Sequence, residues 1–256
     1  MSATRGFGVD IGGSGIKGGV VDLETGVLEG ERLRIPTPQP STPEAVAEVV
    51  ADIVAKFGWE GPVGVTLPCV VKRGVAHSAA NVDPGWIGTD AAGLFAAKLG
   101  RSADQVVVLN DADAAGLAEM RYGAGVDRDG TVVLLTFGTG IGSAVFLDGK
   151  LVPNTEFGHL EVDGHDAEKK AAASVKDDLD LSWEQWTPRV SRYLRVLEDL
   201  VWPDLVIAGG GVSKKAHKWL PLLEVRSEVV AAKLKNDAGI VGAASAAARG
   251  GARNGR

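Results

Sequence analysis

The chain has 256 residues, 45% hydrophobic and 23% charged, with a net charge of −6. That suffices to bury real cores in one large or two modest domains, and the acidic balance argues against broad nucleic-acid binding. The single cysteine, Cys69, excludes an internal disulfide and a multi-cysteine zinc site; no apolar run approaches the roughly 18 residues of a membrane span and no leader-like apolar segment opens the chain, so a soluble, cytoplasmic protein is expected.

Phe7 to Asp10 alternates like a strand, and Gly18 to Leu23 reads as a second one. Between them lie Ile11, Gly12, Gly13, Ser14, Gly15, Ile16 and Lys17. The glycines leave backbone amides uncovered and no Cβ blocks approach, which suits a phosphate; Ser14 and Lys17 are further donors. Asp10 stands where a carboxylate would hold Mg²⁺ against phosphates, directly or through water. The same residues also suit a hairpin without ligand, and Lys17 either meets phosphates or covers the sheet with its stem.

Val27 to Ile35 reads as a third strand, ended by Pro36 to Pro43. Thr42 then caps a helix with Pro43 in its first position; Val46, Val49, Val50, Ile53, Val54 and Phe57 share one face, and Gly58 stops it. Pro62 to Val71 is expected as a buried strand with Cys69 in the core, followed by a short strand at Val75 to His77. A loop from Asn81 to Trp86 and a helix from Asp90 to Leu99 come next. Asn81 and Trp86 suit either the fringe of a binding cleft or a turn with a buried ring.

The run Val106 to Leu109 is short enough for a buried parallel strand and delivers Asn110, Asp111 and Asp113 at its carboxyl end, where α/β sheets gather ligands. Asp111, nearest the strand end, suits a general base or a helix cap, and Asp113 a cap or a solvent-facing position. The stretch Leu134 to Asp148 then repeats the first outline: an apolar strand, a tip of Gly138, Thr139 and Gly140, a second strand, and an Asp148-Gly149 turn. Two such hairpins suggest a duplicated architecture whose tips face one another across a cleft. Neither tip fits the Walker or dinucleotide glycine patterns.

Beyond them, Asn154 to His159 is a polar patch, Ala167 to Asp180 looks helical, and Trp183 to Trp202 reads as one long helix whose tryptophans suit the core in preference to a stacking platform. Leu205 to Ala208 is a strand leading to Gly209, Gly210 and Gly211, and Ser213 to Lys215 enters a helix. Val225 is placed in a short strand before Ala231, Gly239 to Ala248 in an alanine-rich helix, and residues 249–256 in a disordered tail.

In this order, Asp10 to Lys17, Asn110-Asp111-Ala112, Gly138 to Gly142 and Glu156-Phe157-Gly158-His159 resemble the ROK family of sugar kinases; Leu135 to Ala144, the Glu156 to Glu168 stretch and Ser182-Trp183 followed by Trp186 resemble, within it, the group from actinobacteria that uses polyphosphate. The resemblance implies an α/β protein of the actin-like ATPase (ribonuclease H-like) fold with duplicated mixed sheets flanked by helices. It implies a small lobe of residues 1–112 plus 238–256 and a large lobe of 113–237. The implied reaction moves a phosphoryl group from inorganic polyphosphate, with ATP as a further donor, to the 6-hydroxyl of glucose or mannose. Asp111 would be the base; Asn110, Glu156, His159 and Glu168 would hold the sugar. Gly12, Gly13, Ser14, Lys17, Gly138, Thr139, Gly140, Gly209 and Gly210 would line the phosphates, with Asp10 ordering Mg²⁺.

Where many family members carry zinc-binding cysteines, this chain reads Val162 to Glu168, so no structural zinc is expected, and Glu168 is the candidate for the family's last sugar-binding glutamate. His165 either orders that loop or lies at the surface. Lys169, Lys170, Lys214, Lys215 and Lys218 suit a track for a polymeric phosphate or solvated helix faces. A homodimer is implied by the resemblance, with neither nucleic acid nor membrane as partner. An ATP-only hexokinase, an actin-like ATPase and a sugar-sensing repressor are the rival readings; the last needs a DNA-binding module before the hairpin that begins by Phe7.

Overall fold

The computed structural model describes residues 4–80 and 82–250; the expectations for Asn81 and for the tail beyond residue 250 lie outside the described residues. The chain forms two compact units, Met1–Ala118 with Asp237–Arg256, and Glu119–Asn236.

In the first unit, β1 (Arg5–Gly12) and β2 (Gly15–Asp22) form an antiparallel hairpin whose ladder runs to Gly12 opposite Gly15. Pairing therefore continues past the expected strand ends and leaves only Gly13 and Ser14 as the turn. The expected third strand is two: β3 (Val27–Leu28) and β4 (Leu33–Ile35) both pair with β2. Gly30, with φ +79°, turns the chain between them. Helix α1 (Pro43–Lys56) starts at its Thr42 cap as expected, Thr42 Oγ1 accepting from Ala45 N at 3.3 Å.

Strand β5 (Val63–Leu67) stops at Pro68, which has no N–H to donate, so the expected strand to Val71 is cut short. Val71 instead opens a small hairpin of β6 (Val71–Lys72) and β7 (Val75–Ala76). Helix α2 (Ala91–Leu99), strand β8 (Val106–Asn110) and helix α3 (Asp111–Tyr122) follow. The main sheet runs β3-β2-β1-β5-β8, antiparallel on the β2 side of β1 and parallel on the β5 side.

In the second unit, β9 (Thr131–Phe137), β10 (Ile141–Leu147) and β11 (Lys150–Val152) form an antiparallel meander. Asp148 and Gly149, both at positive φ, make the expected two-residue turn. A small hairpin of β12 (Glu161–Val162) and β13 (His165–Asp166) leads to helices α4 (Glu168–Ala171) and α5 (Ala173–Asp178). These two replace the single helix expected over Ala167 to Asp180, because Ala172 is extended at ψ 156°.

Ser182 and Gln185 form a capping box on α6 (Trp183–Val201). Trp186 is fully buried, but Trp202 ends the helix in left-handed conformation and is 70% exposed, with Arg226 over its ring, so it is not a core residue. Strands β14 (Leu205–Gly210) and β15 (Glu228–Ala231) complete the sheet; Val225 falls before β15, not in it. The order β11-β10-β9-β14-β15 repeats the first sheet's pattern, antiparallel on one side of its central strand and parallel on the other. One connectivity occurring twice is what the two similar hairpins suggested.

The last helix, α7 (Ala238–Ala248), returns to the first unit. It lies so close to β1 and β5 that a Cβ on Gly8 would stand 2.0 Å from the Ile240 carbonyl oxygen, and one on Gly64 would stand 1.9 Å from that of Ala243. The alanines of α7 and the glycines of the sheet are thus one packing solution. Two apolar clusters form the cores, one around Phe7, Ile53, Trp86 and Phe95, the other around Phe137, Trp186, Trp219 and Leu197. Trp86 donates Nε1–H to the Ser41 carbonyl at 3.0 Å and is wholly buried, which makes it a core residue. No helix among the described residues is long and apolar enough to cross a membrane.

Candidate active site

In the first unit the site elements are the β1–β2 tip and the end of β8. Gly13 and Ser14 are exposed, and a Cβ on Gly13 would meet nothing within 4 Å, so internal packing does not demand glycine there. Asp10 faces Lys17 across the ladder. Its Oδ1 accepts from Thr66 Oγ1 at 2.9 Å, and its Oδ2 lies 3.4 Å from Lys17 Nζ. The Thr66 hydroxyl also accepts from Ile11 N at 3.1 Å, which fixes the Asp10 carboxylate to the neighbouring strand. Lys17 therefore does more than cover the sheet.

Asn110 caps α3: its Oδ1 accepts from Ala112 N at 2.8 Å and from Asp113 N at 3.1 Å, while its amide donates to the Cys69 carbonyl at 3.1 Å. Asn110 is thus committed largely to backbone, with one amide hydrogen beyond the bond to Cys69. Asp111, the first residue of α3, is half-buried and accepts from Ala112 N at 2.9 Å. Asp113 is 2% exposed, so it neither faces solvent nor supplies the cap. The cap comes from Asn110.

In the second unit the three-residue turn of Gly138, Thr139 and Gly140 joins β9 to β10. A Cβ on Gly138 would meet nothing within 4 Å, whereas one on Gly140 would stand 2.3 Å from Glu168 Oε2. That same oxygen accepts from Ile141 N at 3.1 Å, pinning the glutamate to the turn. Glu168 Oε1 lies 3.9 Å from His159 Nδ1, and Asp166 Oδ2 lies 3.6 Å from the same nitrogen. Glu156 belongs to the same electrostatic group. Burial raises its carboxyl above the ordinary range; His159 opposes the shift and Glu168 adds to it. Glu156, His159 and Glu168 are therefore brought together, and Glu168 ties them to the glycine turn. His165 is exposed on β13.

The third glycine turn begins where β14 ends. Gly210 has φ +78° and packs so closely that a Cβ would stand 2.1 Å from the Phe137 carbonyl oxygen. Ser213 Oγ donates to the Gly210 carbonyl at 2.8 Å, and the helix expected here is a 3₁₀ segment, Gly211–Lys218. A cavity of about 490 Å³ opens beside this turn, lined among others by Gly138, Thr139, Ser174, Lys176, Trp183 and Lys215. Gly209 and Gly210 are not among its lining residues; Gly211 is. Lys169, Lys170, Lys214 and Lys218 are exposed.

Four positioning residues were not singled out from the sequence. Thr66 and Ser143 are buried polar residues within apolar strands, a signal the sequence carries. Ser143 Oγ donates to the Thr155 carbonyl at 2.6 Å and accepts from Phe157 N at 2.9 Å, holding the segment that bears Glu156. Arg34 sits opposite Lys17 on β4 and donates to the Ser14 carbonyl at 2.7 Å. Asp166, beside His159, is the fourth.

A fold of two such sheets, with open glycine turns and a strand-end carboxylate, defines the class of the actin-like sugar kinases. The model of the ROK family matches residues 6–173, and the chain belongs to that family. The polyphosphate glucokinase of Mycobacterium tuberculosis is 61% identical over 242 residues, covering 94% of this chain and 91% of that protein. Among solved structures, the inorganic polyphosphate/ATP-glucomannokinase from Arthrobacter sp. strain KM is 54% identical, with a TM-score of 0.92 over 96% of this chain and 99% of that one. A ROK family glucokinase from Streptomyces griseus, in complex with glucose and AMPPNP, is 28% identical, with a TM-score of 0.77 over 94% of this chain and 98% of that one.

Proposed function

We propose that this protein transfers a phosphoryl group from inorganic polyphosphate, and also from ATP, to the 6-hydroxyl of glucose. The observation that carries the reading is the placement of Glu168, whose carboxylate bonds the glycine turn at Ile141 N while standing beside His159. One residue thereby links a set of sugar-binding groups to a phosphate-binding turn. The similarity to the Mycobacterium tuberculosis polyphosphate glucokinase and to the Arthrobacter glucomannokinase supports the donor and the acceptor. The Arthrobacter enzyme is a glucomannokinase, which makes mannose a further acceptor to test.

The sugar's 6-oxygen attacks the terminal phosphorus of the donor, and the bridging P–O bond breaks. The donor leaves one phosphate shorter, or as ADP, and the hydroxyl proton passes to Asp111. Glu156, His159 and Glu168 hold sugar hydroxyls, and the spare amide hydrogen of Asn110 is a further donor. Amides of Gly12, Gly13, Gly138, Thr139 and Gly140, with Ser14 and Lys17, receive phosphate oxygens. Gly209 and Gly210 support the turn beside the cavity, which takes the rest of the donor.

Asp10 fits a magnesium ion of the kind that keeps most of its waters and leans on one carboxylate and the donor's phosphates. Its Oδ1 is fixed by Thr66 and its Oδ2, beside Lys17, belongs to a partly exposed side chain, so one carboxylate is available to such an ion. Such an ion, when bound, neutralises phosphate charge.

The direct test is glucose 6-phosphate formation by the purified protein with polyphosphate or ATP as donor. Turnover with polyphosphate is the expected result. Turnover with ATP alone overturns the donor assignment, and none with either overturns the reading.

A further inference from the structure

The cavity beside the glycine turns has a wall whose chemistry bears on which donor it prefers. Helix α5 is fastened to the turn by two bonds: Ser174 N donates to the Gly138 carbonyl at 3.0 Å, and Ser174 Oγ donates to the Thr139 carbonyl at 2.7 Å. Two residues on, Lys176 sends its ammonium over the Trp183 ring, 4.6 Å from the centroid. Its side chain is only 17% exposed, so this is a placed lysine and not a solvated one. Trp183 is held in turn by an edge contact with Trp186, centroids 5.7 Å apart. Lys215, at the kink of the 3₁₀ segment, also lines the cavity. The carboxylate nearest Lys176 is Asp177, 3.7 Å away, beyond hydrogen-bonding reach and 78% exposed; it too lines the cavity.

We propose that Lys176, positioned by Trp183, sets the donor preference of this protein in favour of polyphosphate over a nucleoside triphosphate. This rests on the reading above that the cavity takes the donor. A nucleotide brings a flat, largely apolar base that gains from aromatic surface, and here an ammonium occupies the indole. Stacking a base there requires giving up a cation–π contact and leaving a partly buried ammonium without it. A phosphate chain has no apolar face and carries charge along its length, so each ammonium in the wall adds a contact beyond the transferring group. The lysine is anchored, through Ser174, to the turn that receives that group, so the added contact is held in register with the reaction.

The experiment compares wild type with Lys176→Met, Lys176→Arg and Trp183→Leu. It reads kcat/KM for polyphosphate and for ATP, calorimetric binding of polyphosphate over a salt series, and glucose binding as a check on folding. Lys176→Met is expected to lower kcat/KM for polyphosphate about tenfold, the weight of one charge-assisted contact, while ATP changes much less. Polyphosphate affinity should fall in step, with a salt slope shallower by about one ion. Lys176→Arg, which also stacks on indole, should retain the wild-type preference, and Trp183→Leu should lose part of it. A Met variant that lowers both donors equally, or neither, overturns the proposal while leaving the activity intact. A wild type that binds polyphosphate yet turns over ATP alone overturns both the proposed function and the preference assigned to Lys176. A wild type that does not bind polyphosphate overturns both.

Discussion

Alanine at two positions of one turn separates packing from function. A Cβ on Gly138 meets nothing within 4 Å, whereas a Cβ on Gly140 falls 2.3 Å from Glu168 Oε2, well inside contact distance. Neither glycine has positive φ, so backbone strain does not distinguish them. Because the obstructing atom is the end of a flexible side chain, Gly140→Ala is relieved by swinging the carboxylate away. The consequence is loss of its 3.1 Å bond from Ile141 N and of its place beside His159.

A hydrogen bond to an ionised group contributes about 1.5–3 kcal/mol when buried. Glu168 is 27% exposed and water replaces part of that, so about 1–1.5 kcal/mol is the working figure, or roughly tenfold in glucose affinity. Glucose-induced quenching of tryptophan fluorescence measures it, alongside kcat/KM for glucose. Gly138→Ala should bind glucose as wild type does and show its defect in donor use. In a Glu168→Ala background the Gly140→Ala effect should vanish, since its target is gone. Equal glucose affinity in the two single alanine variants would refute the reasoning.

Asn110→Ala removes the acceptor for two α3 amides and the donor to the Cys69 carbonyl. It should cost about 1–2 kcal/mol of stability in a denaturant melt and lower turnover with every donor, because it loosens the helix start that holds Asp111. Glu156→Gln tests the raised carboxyl. A pKa lifted by burial means that ionisation costs stability above the folded pKa, and that the cost fades as pH falls toward the unfolded value of 4.5. The variant should therefore melt higher than wild type near pH 7, with the advantage shrinking toward pH 4.5; an advantage independent of pH would contradict that assignment. Wild-type glucose affinity should also weaken at a higher pH than for an ordinary glutamate.

Much of this was legible in the residues because local signals and tertiary outcome agree. Thr42 with Pro43, the Asp148-Gly149 turn and the apolar run ending at Asn110 each have one good local solution, and each takes it. The misreadings have physical causes. Pro68 ended β5 where apolar character alone continued, and Ala172 broke a helix whose neighbours favour one. Asp113 carries the side chain expected of a cap, but Asn110, one position before the helix, has the geometry for it.

The site shows the same division. Asp10, Asp111 and the glycine turns announce themselves by composition. Arg34 reaches the first glycine turn by pairing opposite Lys17 from a separate strand, and Asp166 comes beside His159 only when the chain folds back through the β12–β13 hairpin; no local pattern reports either. The grip of Glu168 on Ile141 spans 27 residues and depends on where α4 begins.

The measurement that bears most directly on the account is glucose 6-phosphate formation by Asp111→Asn, with polyphosphate as donor, set beside glucose binding by the same variant. Loss of a positioned base predicts a rate lower by about 10²–10⁴-fold, with glucose binding near that of wild type. A variant that turns over like the parent would remove Asp111 from the chemistry and contradict the central claim.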